Sequence, residues 1–244
     1  MRHQSLWKRL KKLCLNILLF GIGFLVTIGI LLQLNTVFTI HTIIVQGADS
    51  DGSLYGLSNI QGSSILFTST DTIAKSIQLR NTQVEVLSVT KQYPHTITIV
   101  VTPRIIQAAL TVSDGYYLLG NNGLIINRVK SINAYHYPLL SYYQQFPFDT
   151  FHAGDKLSYQ DILLALTAIE NARSVGLTPI RIDIGSFDVL ALHTNDAEYR
   201  FSAQKDTGVQ MYQFTTIVSR LREQQKKIKL LDVRFDKPVV QLLP

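Results

Sequence analysis

Val84-Glu85-Val86-Leu87-Ser88-Val89, a break at Tyr93-Pro94-His95, then Thr96-Ile97-Thr98-Ile99-Val100-Val101-Thr102 is the segment around which the first half of the chain organises. The first run alternates, with Val84, Val86 and Ser88 on one face. The second is strongly β-branched, the composition that suits a pleated, half-buried surface. Together they read as two adjacent strands. Working back, Val37 to Gln46 (VFTIHTIIVQ) is β-branched and apolar and is bounded by Gly47, which reads as another strand. Leu54, Leu57 and Ile60 suggest a short helix stopped at Gly62. Ser69 or Thr70 can cap a second helix, with Asp71 in its first turn and Ile73 and Ile77 as its buried stripe. Residues 37–103 therefore read as strand, helix, helix, strand, strand. Two short helices on one face of three strands make a compact α+β unit of about 65 residues.

Residues 104–244 form a different series. Ile105 to Val112, Tyr116 to Leu119 and Leu124 to Ile126 read as strands, the last two joined by the turn Gly120-Asn121-Asn122-Gly123. Pro138 and Pro147 bracket a Tyr-rich loop. Ser158 with Asp161 offers a capping box for a helix carrying Ile162, Leu166 and Ile169, with Gly176 beyond its end. Ile180 to Ile184, Val189 to His193 and Glu198 to Ser202 read as strands. Thr207 with Gln210 offers a second capping box, for a helix with Phe214, Ile217, Val218 and Leu221 on one stripe. That helix ends in the basic run Arg220, Arg222, Lys226, Lys227, Lys229, which complements a helix C-terminus. Leu230 to Leu243 reads as one closing strand.

The N-terminus is read separately. Leu13 to Leu34 holds 22 residues without a charge, about 33 Å as a helix and enough to cross a bilayer core. It is too long for a signal-peptide core, and Asn35-Thr36-Val37-Phe38 is not a small-x-small cleavage site. The expectation is a cytoplasmic basic tail at 1–12 and an uncleaved transmembrane helix at 13–34. By the positive-inside rule the C-terminal body is then extracytoplasmic. The chain carries +6 overall, but Arg2, Lys8, Arg9, Lys11 and Lys12 account for nearly all of it. A body so close to neutral is no nucleic-acid binder. The one cysteine, Cys14, excludes a disulfide framework and a thiol nucleophile in the body.

Motifs that carry chemistry are missing. There is no GxxxxGK loop, no HExxH and no GxSxG. His41, His95, His136, His152 and His193 stand at no metal-ligand spacing. His193-Thr194-Asn195-Asp196 could supply a base and an acid, but it sits in a predicted hairpin turn with no nucleophile beside it. Tyr135, Tyr137, Tyr142 and Tyr143 suit a loop packed over a sheet better than a sugar platform. No cofactor, metal or small-molecule substrate is expected.

Several residues do match a known pattern. The strand ending Ile43-x-Val45-x-Gly47 is followed by Gly62 before Leu66-Phe67. Then Val84, Val89, Lys91, Pro94, Thr96-Ile97, Ile99 and Val101 follow at V-x4-V-x-[RK]-x2-P-x-T-[LI]-x-[IV]-x-[IV]. Tyr116 to Gly123, Tyr137-Pro138-Leu139-Leu140 and Leu231-Asp232-Val233-Arg234-Phe235-Asp236 continue the match over nearly the whole chain. This resembles the FtsQ/DivIB family of bacterial division proteins, with departures at Gln83, Pro103, Gly120 and Phe201-Ser202. The resemblance implies a transmembrane helix, a POTRA domain at 37–103 and a mixed β-sheet domain with helices at 104–244. It implies a non-enzymatic scaffold in the bacterial inner membrane, enriched at the septum. Its partners would be small division proteins of the FtsL and FtsB/DivIC type, and its task to help control septal peptidoglycan synthesis. Asp232, Arg234, Phe235 and Asp236 match the family's closing motif and are the candidate partner-binding residues on an exposed terminal strand spanning Leu231 to Val240. Arg234 is expected to anchor a partner carboxylate and Phe235 to fill a pocket. The alternative class is a POTRA-containing envelope transport or assembly protein.

Overall fold

The computed structural model describes residues 21–25, 28–29, 33, 36–47, 54–132, 137–186 and 189–243. The chain divides into two compact units, Met1–Asn81 with Val86–Thr102, and Thr82–Glu85 with Pro103–Pro244. The expected tail at 1–12, and Tyr135 and His136 of the Tyr-rich segment, lie outside the described residues.

The first unit is built on a three-stranded sheet of order β1-β3-β2, with β1 at Thr42–Gln46, β2 at Val84–Gln92 and β3 at Thr96–Pro103. β1 runs parallel to β3, Thr42 opposite Thr96 and Gln46 opposite Val100. The alternation of β3 buries Ile97, Ile99 and Val101. Helix α1 (Thr70–Arg80) buries Ile73 and Ile77, one turn apart. Ser69 is its N-cap residue but makes no side-chain capping bond. At the other end the fully buried Asn81 donates its amide to the carbonyls of Ile77 (2.7 Å) and Tyr55 (3.0 Å) and accepts the Tyr55 N–H (2.8 Å). This closes the helix and pins the segment before it. That segment holds only a single 3-10 turn, Leu57–Asn59. The first strand starts at Thr42 rather than Val37, because residues 36–37 are helical. Gly47 is required by its φ of +86° and because any Cβ there would collide with the Val101 carbonyl oxygen.

The second unit contains a nine-stranded sheet of order β12-β11-β10-β9-β8-β7-β4-β5-β6. Its strands are β4 (Ala108–Val112), β5 (Gly115–Leu119), β6 (Ile125–Val129), β7 (Leu139–Tyr142), β8 (Arg181–Ser186), β9 (Val189–His193), β10 (Glu198–Phe201), β11 (Ile228–Asp232) and β12 (Val239–Leu242). Helix α2 (Gln160–Ser174) carries the chain from β7 to its parallel neighbour β8. Helix α3 (Thr207–Glu223) does the same from β10 to parallel β11. Both helices contribute to one apolar layer with Leu140, Ile182, Ile184, Leu190, Leu192 and Leu231. Within it the Phe214 ring meets Tyr199 and Phe201 edge-on at 5.2 and 5.3 Å, a burial worth about 2–3 kcal/mol for such a side chain. The alternate residues Arg181, Asp183, His193, Glu198 and Arg200 point to the opposite face and pair there. Asp183 Oδ2 lies 2.9 Å from Arg181 Nε and 3.2 Å from His193 Nε2, and Arg200 Nε lies 2.6 Å from Glu198.

Several expectations are corrected. The fold is mixed α/β and sheet-rich: among the described residues from 42 to 242 it has twelve strands, three α-helices and one 3-10 turn. The crossovers β7-α2-β8 and β10-α3-β11 interleave helices with parallel strands, which an α+β reading does not contain. The transmembrane helix expected at 13–34 is not seen among the described residues. Among the described residues no helix is long and apolar enough to cross a membrane. Most of 13–34 lies outside those residues. The single-pass inner-membrane localisation that rested on that helix is withdrawn with it.

Neither expected capping box forms. The N-cap of α2 is Tyr159, without a side-chain cap, and Asp161 is buried in the first turn. The N-cap of α3 is Asp206, whose carboxylate accepts the Val209 N–H at 2.8 Å. Gln210 turns inward instead. It accepts the Ser202 N–H (2.8 Å) and donates to the carbonyls of Ser202 (2.7 Å) and Lys205 (3.1 Å). The Tyr-rich segment contains a strand, β7, in the middle of the sheet. Its Tyr142 is a core residue stacked on Phe146 at 5.3 Å. Burial, then a hydrogen bond to Tyr143 and the nearby Asp161, raises the Tyr142 hydroxyl pKa well above the usual phenol range.

Candidate partner-docking edge

The run expected as one closing strand is two. β11 lies inside the sheet, between β10 and β12, and β12 is the edge. Residues 233–238 form an irregular connection between them. Pro238 precedes β12, the position at which proline is compatible with a strand. The four family-matched residues are all at this connection. They share one short segment but do not share one role.

Asp232 ends β11 and is 5% exposed. Its carboxylate takes the Arg234 guanidinium in a fork, with Nε at 3.0 Å from Oδ1 and Nη2 at 2.6 Å from Oδ2. It also accepts the Arg234 backbone N–H at 3.1 Å. Burial alone would raise the Asp232 pKa. The side-chain and backbone bonds from Arg234, with the charges of Arg234 and Arg200, outweigh it and hold the group below the usual carboxylate range. Arg234 is thus committed to an internal partner and is not the free anchor expected of it. Phe235 is 54% exposed, with the Arg234 guanidinium 5.4 Å from its ring centre. The Asp236 side chain is fully exposed. Val233, a residue of the expected edge, is fully buried, and its N–H donates to the Arg200 carbonyl at 3.0 Å.

Two residues that the sequence reading left out fix the connection. The Lys205 ammonium donates to the carbonyls of Phe235 (2.7 Å) and Val233 (3.3 Å) and to Gln213 Oε1 (3.2 Å). Gln213 Nε2 donates to the Asp236 carbonyl at 3.3 Å. Lys205 thereby straps residues 233–236 to α3 and beside a cleft of about 420 Å³ lined by Ser202, Gln204, Lys205, Arg234, Phe235 and Asp236. No local sequence signal points to Lys205. Pro238 is the signal that could have divided the closing strand.

The two edges of the nine-stranded sheet are treated differently. At β6 the Ile125 N–H donates to the Asp155 carbonyl (2.9 Å), and the Ile125 carbonyl accepts from Gly154 (2.8 Å). The Ile126 carbonyl accepts from the Thr82 hydroxyl (2.7 Å). That edge is sealed by a loop, a usual protection against unwanted pairing. β12 carries no such cover among the described residues. All four of its residues are exposed, Val239 at 48%, Val240 at 37% and Leu242 at 42%, and none is charged. A short, uncharged, uncovered edge strand is a template for a further strand.

The carboxylate beside His193 is that of Asp183, 3.2 Å away on the polar sheet face, rather than one from the His193–Asp196 turn. Among the described residues no group of three His, Cys, Asp or Glu side chains could hold a metal ion. No protein-family model matches this chain, and no curated protein matches it.

Proposed function

We propose that this chain is a non-enzymatic docking scaffold of the bacterial division machinery. It recruits small partners of the FtsL and FtsB/DivIC type by adding a partner strand to β12, and so helps control septal peptidoglycan synthesis. The observation that carries the reading is the contrast between the bare, uncharged β12 and the sealed β6. The sequence resemblance supplies the partner class. Backbone pairing along β12 would provide affinity, while Phe235 and the cleft beside it would accept a side chain from the partner.

The test is calorimetric titration of the full chain with purified partner fragments of that class. The comparison variant places charge and a proline on the edge, as Val239→Lys with Gln241→Pro, both at exposed positions. A loss of at least about tenfold in affinity with an unchanged circular dichroism spectrum supports the reading. Equal binding by variant and wild type, or no binding by wild type, refutes it.

A further inference from the structure

The geometry points to an acidic partner segment. The strand that docks on β12 continues, past the Leu242 end, into a run of carboxylates that meets Lys226, Lys227 and Lys229. This inference rests on the reading of β12 as a docking strand.

Between residues 220 and 229 the chain holds five basic residues and one acid, Glu223. The helix dipole accounts for two of them. Arg220 and Arg222 sit in the last turn of α3, and Arg222 Nη1 donates to the Val175 carbonyl at 2.8 Å. α3 ends at Glu223, so the three lysines lie beyond the reach of that effect. They are exposed, and among the described residues none of them has an ion-pair partner. Their position is fixed against the edge strand. The Leu243 N–H donates to the Lys227 carbonyl at 2.9 Å, Ile228 stands opposite Leu242, and Lys229 occupies the bulge between the 228 and 230 pairings. A strand added to β12 would lie two strand spacings, about 9.6 Å, from the β11 backbone that carries Lys229, within the roughly 10 Å over which charges interact at moderate salt.

The same charges argue against a second copy of this chain as the occupant. Parallel pairing of two β12 strands would set the lysines of both copies together. Antiparallel pairing would set them against the end that carries Lys205, Lys237 and the single exposed acid Asp236, with Arg234 and Asp232 paired to each other, an end that is still net positive. A carboxylate-bearing partner meets no such repulsion. It would also gain association rate from the steering field.

Three probes test this with the full chain. One is an extended peptide alternating valine and threonine that ends in a run of glutamates. The second ends in glutamines instead, and the third is the glutamate run alone. At low ionic strength the glutamate-ended strand should bind about tenfold more tightly than the glutamine-ended one, and high salt should erase most of that gap. Lys226→Glu with Lys227→Glu and Lys229→Glu should reverse the preference. If that variant melts early, the corresponding triple change to glutamine should abolish the preference without reversing it. Equal binding of both strand peptides overturns the acidic-partner inference and leaves strand docking intact. Failure of both strand peptides overturns strand docking as well. Binding of the glutamate run alone as tightly as the glutamate-ended strand reduces the lysines to a generic polyanion patch and overturns the inference.

Discussion

Replacing Asp232 by Asn tests the element that shapes the connection between β11 and β12. The carboxylate receives two Nε contacts at 3.0 and 3.1 Å, one Nη2 bond at 2.6 Å and the Arg234 N–H at 3.1 Å, with its side chain 7% exposed. Asn keeps one acceptor oxygen and no charge, so the fork onto Arg234 is lost. Hydrogen bonds to charged groups contribute about 1.5–3 kcal/mol each, and Arg234 retains some solvent. The expected loss for Asp232→Asn is therefore about 2 kcal/mol at neutral pH. The pH dependence has a definite sign. The folded pKa lies below the ordinary 3.8, so the stabilisation is fully present above the unfolded value. It disappears as pH falls through the lower folded value. Urea titrations of wild type and variant should show a gap at pH 7 that closes in acid. A gap that stays constant through the acid range, or one under about 0.5 kcal/mol at neutral pH, refutes the assignment of that stability to the ion pair.

Three further outcomes follow from other residues. Gln210→Ala leaves the Ser202 N–H and the Ser202 and Lys205 carbonyls without their partner in a fully buried site, so denaturation should show a loss of about 2–4 kcal/mol. Gln225 follows α3 in the left-handed region at φ 56°, where the Lys226 N–H reaches back to the Leu221 carbonyl at 2.9 Å. Gln225→Gly should therefore raise stability by about 0.5–1 kcal/mol in the same assay, and a loss would contradict the strain argument. Burial, opposed by a bond with Thr194 and reinforced by Asp196, pushes the Tyr199 hydroxyl up to about 12. Its unfolded value of 10.0 lies lower, so stability should fall as pH rises from 10 through 12. Tyr199→Phe should flatten that decline in alkaline melting curves.

Much of the secondary structure was written locally. The runs at Val84–Gln92, Arg181–Ser186 and Val189–His193 and the helices at Thr70–Arg80, Gln160–Ser174 and Thr207–Glu223 declare themselves through period and composition. β7 does not. Leu139-Leu140-Ser141-Tyr142 is four residues beside Pro138, too short to show a period, and its place between β4 and β8 comes entirely from partners distant in the chain. The capping residues were misassigned for a similar reason. Gln210 is chemically able to complete a capping box, but the buried Ser202 backbone offers it more unsatisfied groups than the helix terminus does.

The same division runs through the site. That Asp232, Arg234, Phe235 and Asp236 form a polar and aromatic cluster near the C-terminus is legible in the chain, because motif matching needs only adjacent residues. What each of them touches is set by long-range packing. The fork turned Arg234 inward, Lys205 strapped the connection from the N-terminal end of α3, and the pairing of β11 between β10 and β12 moved the edge to Val239–Leu242. An edge is a property of the strand that is missing on one side. No local pattern records it, because hydrogen-bond partners in a sheet are chosen by the whole chain.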